Sequence, residues 1–344
     1  CYKCGQHSVC HSCWEYIFPL YNYDRQYHGT VTMRTAITKS YNIPAVKAMV
    51  EITPEVGVEY LKKFGFTSIL DTLTELPQGS GNFYTDVNSA TAIGGITKGV
   101  SNLELTAAYA TIANNGTYIK PVFYTKILDS DGNVVIDNTP EKTTVLKPST
   151  AYLLTSVMED VVKKGTGTRL QLSNMPVAGK TGTTDNYKDL WFSGFTPYYT
   201  CSVWAGYDNN IVLPKGQART YQQTLWQKIM QRIHNDLPET EFKVPSTVEK
   251  KSICKSSGLL ASSSCDAVTE YYDTETLPKK YCSGHKKAKP EENEKPKPED
   301  SVDAPEETTP ETPQPPQEPE TPTPPTPETP QEQPETPPTP PANQ

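Results

Sequence analysis

The chain has 344 residues and a formal net charge of −8, but the charge is not spread evenly. Residues 286–344 hold 19 of the 32 prolines and a net charge of −9, whereas residues 1–285 carry 27 basic and 26 acidic side chains. A nearly neutral folded part without a basic, aromatic-rich run argues against nucleic acid as a partner, and no apolar stretch reaches the ~18 residues that would cross a membrane.

Apolar periodicity divides the folded part into a largely helical first half and a strand-rich region after it. Helices are predicted where apolar residues recur at three- and four-residue spacing, at residues 33–38, 44–50, 54–64, 103–114, 151–163 and 221–234. Strands are predicted where short apolar or aromatic segments alternate with polar residues, at residues 122–128, 134–136, 180–184, 190–195 and 201–207. This order predicts an α+β fold in which an antiparallel sheet is flanked by helices.

Composition predicts four parts along the chain. A Cys-rich leader (1–20) has no assignment, a main domain covers 21–240, and a small Cys-containing module covers 241–285. From residue 286 the Pro/Glu/Thr repeats are too dense for a core, so an extended, disordered tail is predicted. Since the chain opens on a cysteine without a starting Met or a signal pattern, membrane contact is expected only through an anchor that precedes these residues.

The leader contains two Cys-x-x-Cys pairs, Cys1/Cys4 and Cys10/Cys13. Zinc ribbons separate such pairs by roughly 15–20 residues so that a hairpin can wrap the metal. The gap here is five residues, and no metal site is predicted.

The other four cysteines lie further along the chain. Cys254, Cys265 and Cys282 stand in the small module. In an exported protein two of these three can form a disulfide, and the sequence leaves open which two. Cys201 lies in an apolar run, where it is interpreted as a small hydrophobic residue rather than a reactive thiol.

Two short motifs carry the candidate chemistry. Lys180-Thr181-Gly182-Thr183 offers a cation for a substrate carboxylate and for proton transfer near a serine nucleophile. Gly182 permits close approach of a bound peptide, and the threonines on either side of it offer hydroxyls. Ser40-Tyr41-Asn42 is the second motif. The alternatives are an exposed hairpin for the first motif and ordinary helix capping for the second.

The surrounding sequence resembles the transpeptidase domain of class A penicillin-binding proteins over residues 21–236. Several segments carry this resemblance in the family's order, at residues 40–46, 99–105, 107–111, 113–118, 178–184, 191–194 and 204–207. The module with Cys254, Cys265, Cys282 and His285 resembles the segment after this domain in some members from Gram-positive bacteria. The main domain is therefore interpreted as a partial transpeptidase domain of the penicillin-binding, serine β-lactamase-like fold, incomplete at its N-terminus.

The resemblance implies a cell-wall enzyme on the outer face of the bacterial membrane that needs no cofactor. A serine attacks the D-Ala-D-Ala bond of a peptidoglycan stem peptide, and the acyl group passes to an amine on a neighbouring strand; β-lactams acylate the same serine. Ser40 and Asn42 would be catalytic residues that line the cleft. Lys180 would serve both catalysis and binding, with Thr181, Gly182 and Thr183 on the substrate-binding strand. The Thr183 amide would serve an oxyanion hole.

The family's Ser-x-x-Lys nucleophile motif does not occur before Ser40. Ser-x-x-Lys occurs only at residues 252–255 and 283–286, both after the Lys-Thr-Gly motif, and these are interpreted as chance matches. The chain alone is therefore expected not to be acylated.

Three alternatives to a transpeptidase stay open. A β-lactamase is disfavoured because no Glu-x-x-Leu-Asn string is present for deacylation. The other two are a non-catalytic β-lactam-binding sensor and a wall-binding surface protein.

Overall fold

The computed structural model describes residues 20–284, so the predictions for the leader cysteines and for the proline-rich tail lie outside the described residues. The described part contains six α-helices: α1 (Met33–Lys39), α2 (Asn42–Ile52), α3 (Pro54–Lys63), α4 (Asn102–Ala113), α5 (Pro148–Lys164) and α6 (Tyr221–His234). None of these helices has the length and apolar character needed to cross a membrane.

Eleven strands lie in the same range, and every pairing between them is antiparallel. They are β1 (Thr74–Glu75), β2 (Phe83–Tyr84), β3 (Thr117–Ile119), β4 (Lys126–Leu128), β5 (Val134–Asp137), β6 (Lys142–Thr144), β7 (Ala178–Thr183), β8 (Asp189–Phe195), β9 (Thr200–Gly206), β10 (Val248–Cys254) and β11 (Ala267–Asp273).

The core is a three-stranded sheet, in the order β7-β8-β9, with helices on both faces. Successive side chains of a strand point to opposite faces, so Phe192 and Phe195 of β8 enter different parts of the core. Phe192 meets the Trp226 ring of α6 edge-to-face, with ring centroids 4.9 Å apart. Phe195 packs with Met158 of α5. All four side chains are almost fully buried. The α+β class and the antiparallel sheet flanked by helices are therefore confirmed.

Two predicted boundaries differ from the structure for local reasons. Helix α2 begins at Asn42, two residues before Pro44, and a proline fits there because first-turn amides have no intrahelical partner. The strand predicted over 122–128 is limited to β4, where all residues are exposed. The hairpin of β10 and β11 was not predicted, because β10 reads Val-Glu-Lys-Lys-Ser-Ile-Cys and lacks apolar alternation.

One contact between this hairpin and the main domain runs through α1, beside contacts with α5 such as the Tyr152–Tyr271 ring pair. Arg34 of α1 donates to both carboxylate oxygens of Glu270 on β11, each at 2.8 Å. The same guanidinium donates to Asp160 of α5 at 3.0 Å and to the Ser156 carbonyl at 3.0 Å. The three charged side chains are only 15–21% exposed. Arg34 therefore joins α1, α5 and the hairpin at one point.

We expect Arg34→Gln to lower the free energy of unfolding by about 2 kcal/mol, since the partly buried Glu270 loses its cation and Asp160 is left with Lys164. Lys147→Gln is the matched control, because the Lys147–Glu275 pair spans the same boundary but is 67–69% exposed. Thermal unfolding of the two variants measures the difference. Equal stability of both would contradict the role of Arg34.

Candidate active site

Ser40 lies in a left-handed turn that ends α1. Its backbone has φ 58° and ψ 45°, and its amide donates to the Ile37 carbonyl at 3.1 Å. The next amide, of Tyr41, donates to the Ala36 carbonyl at 2.9 Å. A residue with a Cβ in this conformation costs roughly 1–2 kcal/mol. The turn places the Ser40 hydroxyl between α1 and α2.

Lys180 lies on β7 and reaches this hydroxyl. The register β7–β8 is regular through residue 183, with Lys180 opposite Ser193. The Lys180 ammonium donates to Ser40 Oγ at 2.7 Å and to the Thr181 carbonyl at 2.9 Å. Two motifs that are 140 residues apart in the sequence therefore meet through one hydrogen bond.

The Lys180 ammonium has no carboxylate beside it. Within residues 20–284 no acidic side chain forms an ion pair with Lys180. Burial lowers the pKa of Lys180 to about 8, since the charged amine loses hydration without gaining a counter-ion. A half-buried cation bonded to neutral oxygens is suited to an anionic ligand.

Asn42 is the first residue of α2 and makes a different contact. Its Nδ2 donates to the Tyr21 carbonyl at 2.9 Å, which fixes the segment that precedes α1. The structure thus brings Ser40 and Lys180 together. The side-chain amide of Asn42 is bonded to the Tyr21 carbonyl.

Of the other residues in the β7 motif, two are packed against neighbours and one is exposed. Thr181 Oγ1 lies 2.6 Å from Thr166 Oγ1, and Thr183 is exposed. Gly182 lies opposite Trp191, and a Cβ added at Gly182 would stand 3.2 Å from the Trp191 Cβ. Close packing on β8 is therefore a reason for glycine here that the sequence analysis did not consider.

The loop that follows α5 lies at the site but was not among the predicted site residues. A Cβ added at Gly165 would lie 2.3 Å from the Thr38 carbonyl oxygen, so only glycine lets this loop approach α1 near Ser40. Thr166, the next residue, bonds the Thr181 hydroxyl. The signal available in the sequence was a threonine between two glycines, at 165–167, directly after a predicted helix.

Two family profiles match the chain. The penicillin-binding protein transpeptidase domain matches residues 10–234. The penicillin-binding protein 1A C-terminal domain matches residues 244–287.

Curated relatives agree with these matches. Penicillin-binding protein 1A of Clostridium perfringens is 33% identical over 267 residues, which are 75% of this chain and 31% of the relative. Penicillin-binding protein 1F of Bacillus subtilis is 42% identical over 193 residues, 54% of this chain and 25% of the relative. The chain thus spans about a third or less of the length of these relatives.

Solved structures share the fold at lower identity. Penicillin-binding protein 1A from Haemophilus influenzae gives a TM-score of 0.62 at 23% identity, over 76% of this chain and 42% of that one. PonA1 from Mycobacterium tuberculosis, solved in complex with penicillin V, gives 0.56 at 22% identity, over 66% of this chain and 62% of that one.

Two substitutions at Ser40 distinguish the effect of its backbone conformation on stability from the effect of its hydroxyl. Both Ser40→Gly and Ser40→Ala remove the acceptor for Lys180, but only glycine adopts φ 58° without strain. We expect the glycine variant to be more stable than the alanine variant by roughly 0.5–1 kcal/mol in chemical denaturation. At Thr35, an exposed residue inside α1, the order should reverse, because glycine weakens a helix. The same order at both positions would contradict the strained turn.

Lys180 should make stability depend on pH. Its folded-state pKa of about 8 lies below the ordinary 10.5, so between these values the unfolded chain binds more protons. The free energy of unfolding should therefore rise between pH 8 and 10.5, relative to a Lys180→Met variant. The free energy of unfolding of a Lys142→Met variant, changed at an exposed position, should follow the same pH dependence as that of the unsubstituted chain. A Lys180→Met curve that is also parallel would show that Lys180 titrates normally.

Proposed function

Because the chain belongs to the penicillin-binding protein transpeptidase family, we propose that it forms the substrate-binding wall of a peptidoglycan D,D-transpeptidase. The family performs serine acyl transfer, and its members serve cell-wall synthesis. The proposed substrate is the D-Ala-D-Ala end of a stem peptide, and the proposed inhibitors are β-lactams. The chain would act on the outer face of the bacterial membrane.

The observation that carries this proposal is the Lys180–Ser40 hydrogen bond. In it the Lys180 ammonium offers charge to the terminal carboxylate of a stem peptide or to the carboxylate of a β-lactam. Ser40 Oγ, which accepts from Lys180, can pass a proton onward to a leaving amine. These roles need the two side chains within hydrogen-bond distance, and 2.7 Å meets that requirement.

The position of β7 at the edge of the sheet favours an extended peptide as the substrate. Strand β7 lies at the edge of the described sheet, and β8 is its neighbour on the other side. An extended peptide laid along such an edge gains main-chain hydrogen bonds. The exposed Thr183 lies along this edge, where its hydroxyl or amide would meet the ligand. The atoms that would crowd a side chain at Gly182 belong to Trp191 on β8.

The nucleophile is proposed to come from a segment other than the residues that surround Ser40 and Lys180. Ser252, the first serine in a Ser-x-x-Lys string, lies on β10, where it pairs with Thr269 in the C-terminal hairpin. Lys180 lies on the central sheet instead. We therefore propose that these 344 residues bind the carboxylate end of the ligand and are not acylated by themselves.

Fluorescent penicillin tests both halves of the proposal. The full chain alone should show no covalent label after denaturing electrophoresis. The chain should become labelled when it is joined to the segment that precedes the matching residues in the Clostridium perfringens relative, at a serine of the added segment. In the joined protein Lys180→Met should lower the acylation rate by about 100-fold, since it removes a preorganised charge. Lys142→Met should leave the rate unchanged.

Two results would contradict the proposal in different ways. A labelled serine within the unjoined chain would refute the statement that it lacks a nucleophile. A joined, folded protein that takes no label, or one in which Lys180→Met has no effect, would refute the role of the Lys180–Ser40 pair.

A further inference from the structure

Three cysteines converge in the C-terminal hairpin. Cys254 ends β10, Cys265 stands two residues before β11, and Cys282 follows the hairpin. Their sulfur atoms all lie within 4.8 Å of one another. Cys254 and Cys282 are buried, and Cys265 is half-buried. The three sulfur atoms therefore offer potential metal ligands at one place.

Backbone hydrogen bonds fix this arrangement. The Cys254 amide donates to the Leu259 carbonyl and the Cys282 amide to the Leu260 carbonyl, both at 2.8 Å. The turn between them closes where the Gly258 amide donates to the Cys254 carbonyl at 2.9 Å, with Gly258 at φ +70°. Two cysteines far apart in sequence are thus tied to neighbouring residues of one turn.

The third sulfur has an oriented donor. The Ser262 amide donates to Cys265 Sγ at 3.4 Å, and the Ser262 hydroxyl lies 3.3 Å from the same sulfur. Hydrogen bonds to a ligand atom from outside the coordination sphere orient metal ligands and are typical of metal sites.

We propose that Cys254, Cys265 and Cys282 bind one divalent cation such as zinc, and that this metal has a structural role. Zinc prefers thiolates in tetrahedral sites with Zn–S bonds of about 2.3 Å, which place two sulfurs about 3.8 Å apart. The observed sulfur separations reach that geometry by small side-chain movements.

A metal accounts for the arrangement better than a disulfide does. A disulfide joins two sulfurs and leaves the third cysteine without a role, whereas a cation uses all three. A bound metal would also stabilise the hairpin. The hairpin has two strands, and the three hydrophobic clusters found in the described residues contain no residue of β10 or β11. Small elements of this kind gain stability from a bound metal.

Cobalt binding to the full chain tests the site. Protein purified without oxygen, stripped of metal and titrated with Co²⁺ should bind one equivalent, with thiolate charge-transfer absorption and the visible bands of tetrahedral Co²⁺. Added Zn²⁺ should displace the cobalt. A variant with Cys1, Cys4, Cys10 and Cys13 all changed to serine should keep these bands, which separates the site from the leader.

Single variants then identify the ligands. Cys265→Ser should abolish the charge-transfer bands or weaken Co²⁺ affinity by about 100-fold or more, beyond the loss expected for an outer-sphere partner. Cys201→Ser, which alters a cysteine in β9, is the matched control and should leave binding unchanged.

Three results would overturn the proposal. The first is a cysteine-intact chain that shows no thiolate-to-cobalt band. The second is bands that vanish with the four leader cysteines. The third is a disulfide between two of Cys254, Cys265 and Cys282, found by mass spectrometry in protein isolated without oxidants. The spectrum of the unsubstituted chain decides the matter even if a cysteine variant does not fold.

Discussion

The rest of the candidate site depends on the hydrogen bond from the Lys180 ammonium to Ser40 Oγ. One end of this bond needs the left-handed turn after α1, and the other needs the regular register of β7 on β8. A shift of β7 by one residue would turn Lys180 to the opposite face, because strand side chains alternate. The site therefore depends on how α1 packs against α5, which in turn packs on β7.

That packing is held by two further contacts. Arg34 joins α1 to α5 and to the C-terminal hairpin, and Gly165 lets the loop after α5 approach the Thr38 carbonyl. The hairpin matched by the penicillin-binding protein 1A C-terminal profile thus lies against the helix that carries Ser40. A metal in the three-cysteine cluster would stabilise the hairpin to which Glu270 belongs, and with it one contact that holds α1 in place.

Helices with a clear apolar periodicity of their own were predicted most accurately. The periodicity of α4, α5 and α6 predicted helices close to their observed ends. It failed at β10, whose polar residues do not alternate and whose pairing partner lies beyond a long loop. It also failed to explain Gly182, since the reason for a small residue there is the Trp191 side chain on the next strand.

The sequence by itself determined the type of the six helices and of β7, β8 and β9, the α+β class, and the residue types proposed for the chemistry, because these follow from neighbours a few positions away. Only the tertiary structure decided that Ser40 meets Lys180, that the Asn42 side chain donates to the Tyr21 carbonyl, and that three cysteines share one place. Contacts between residues 140 positions apart depend on how helices and strands pack, and no local periodicity records that packing.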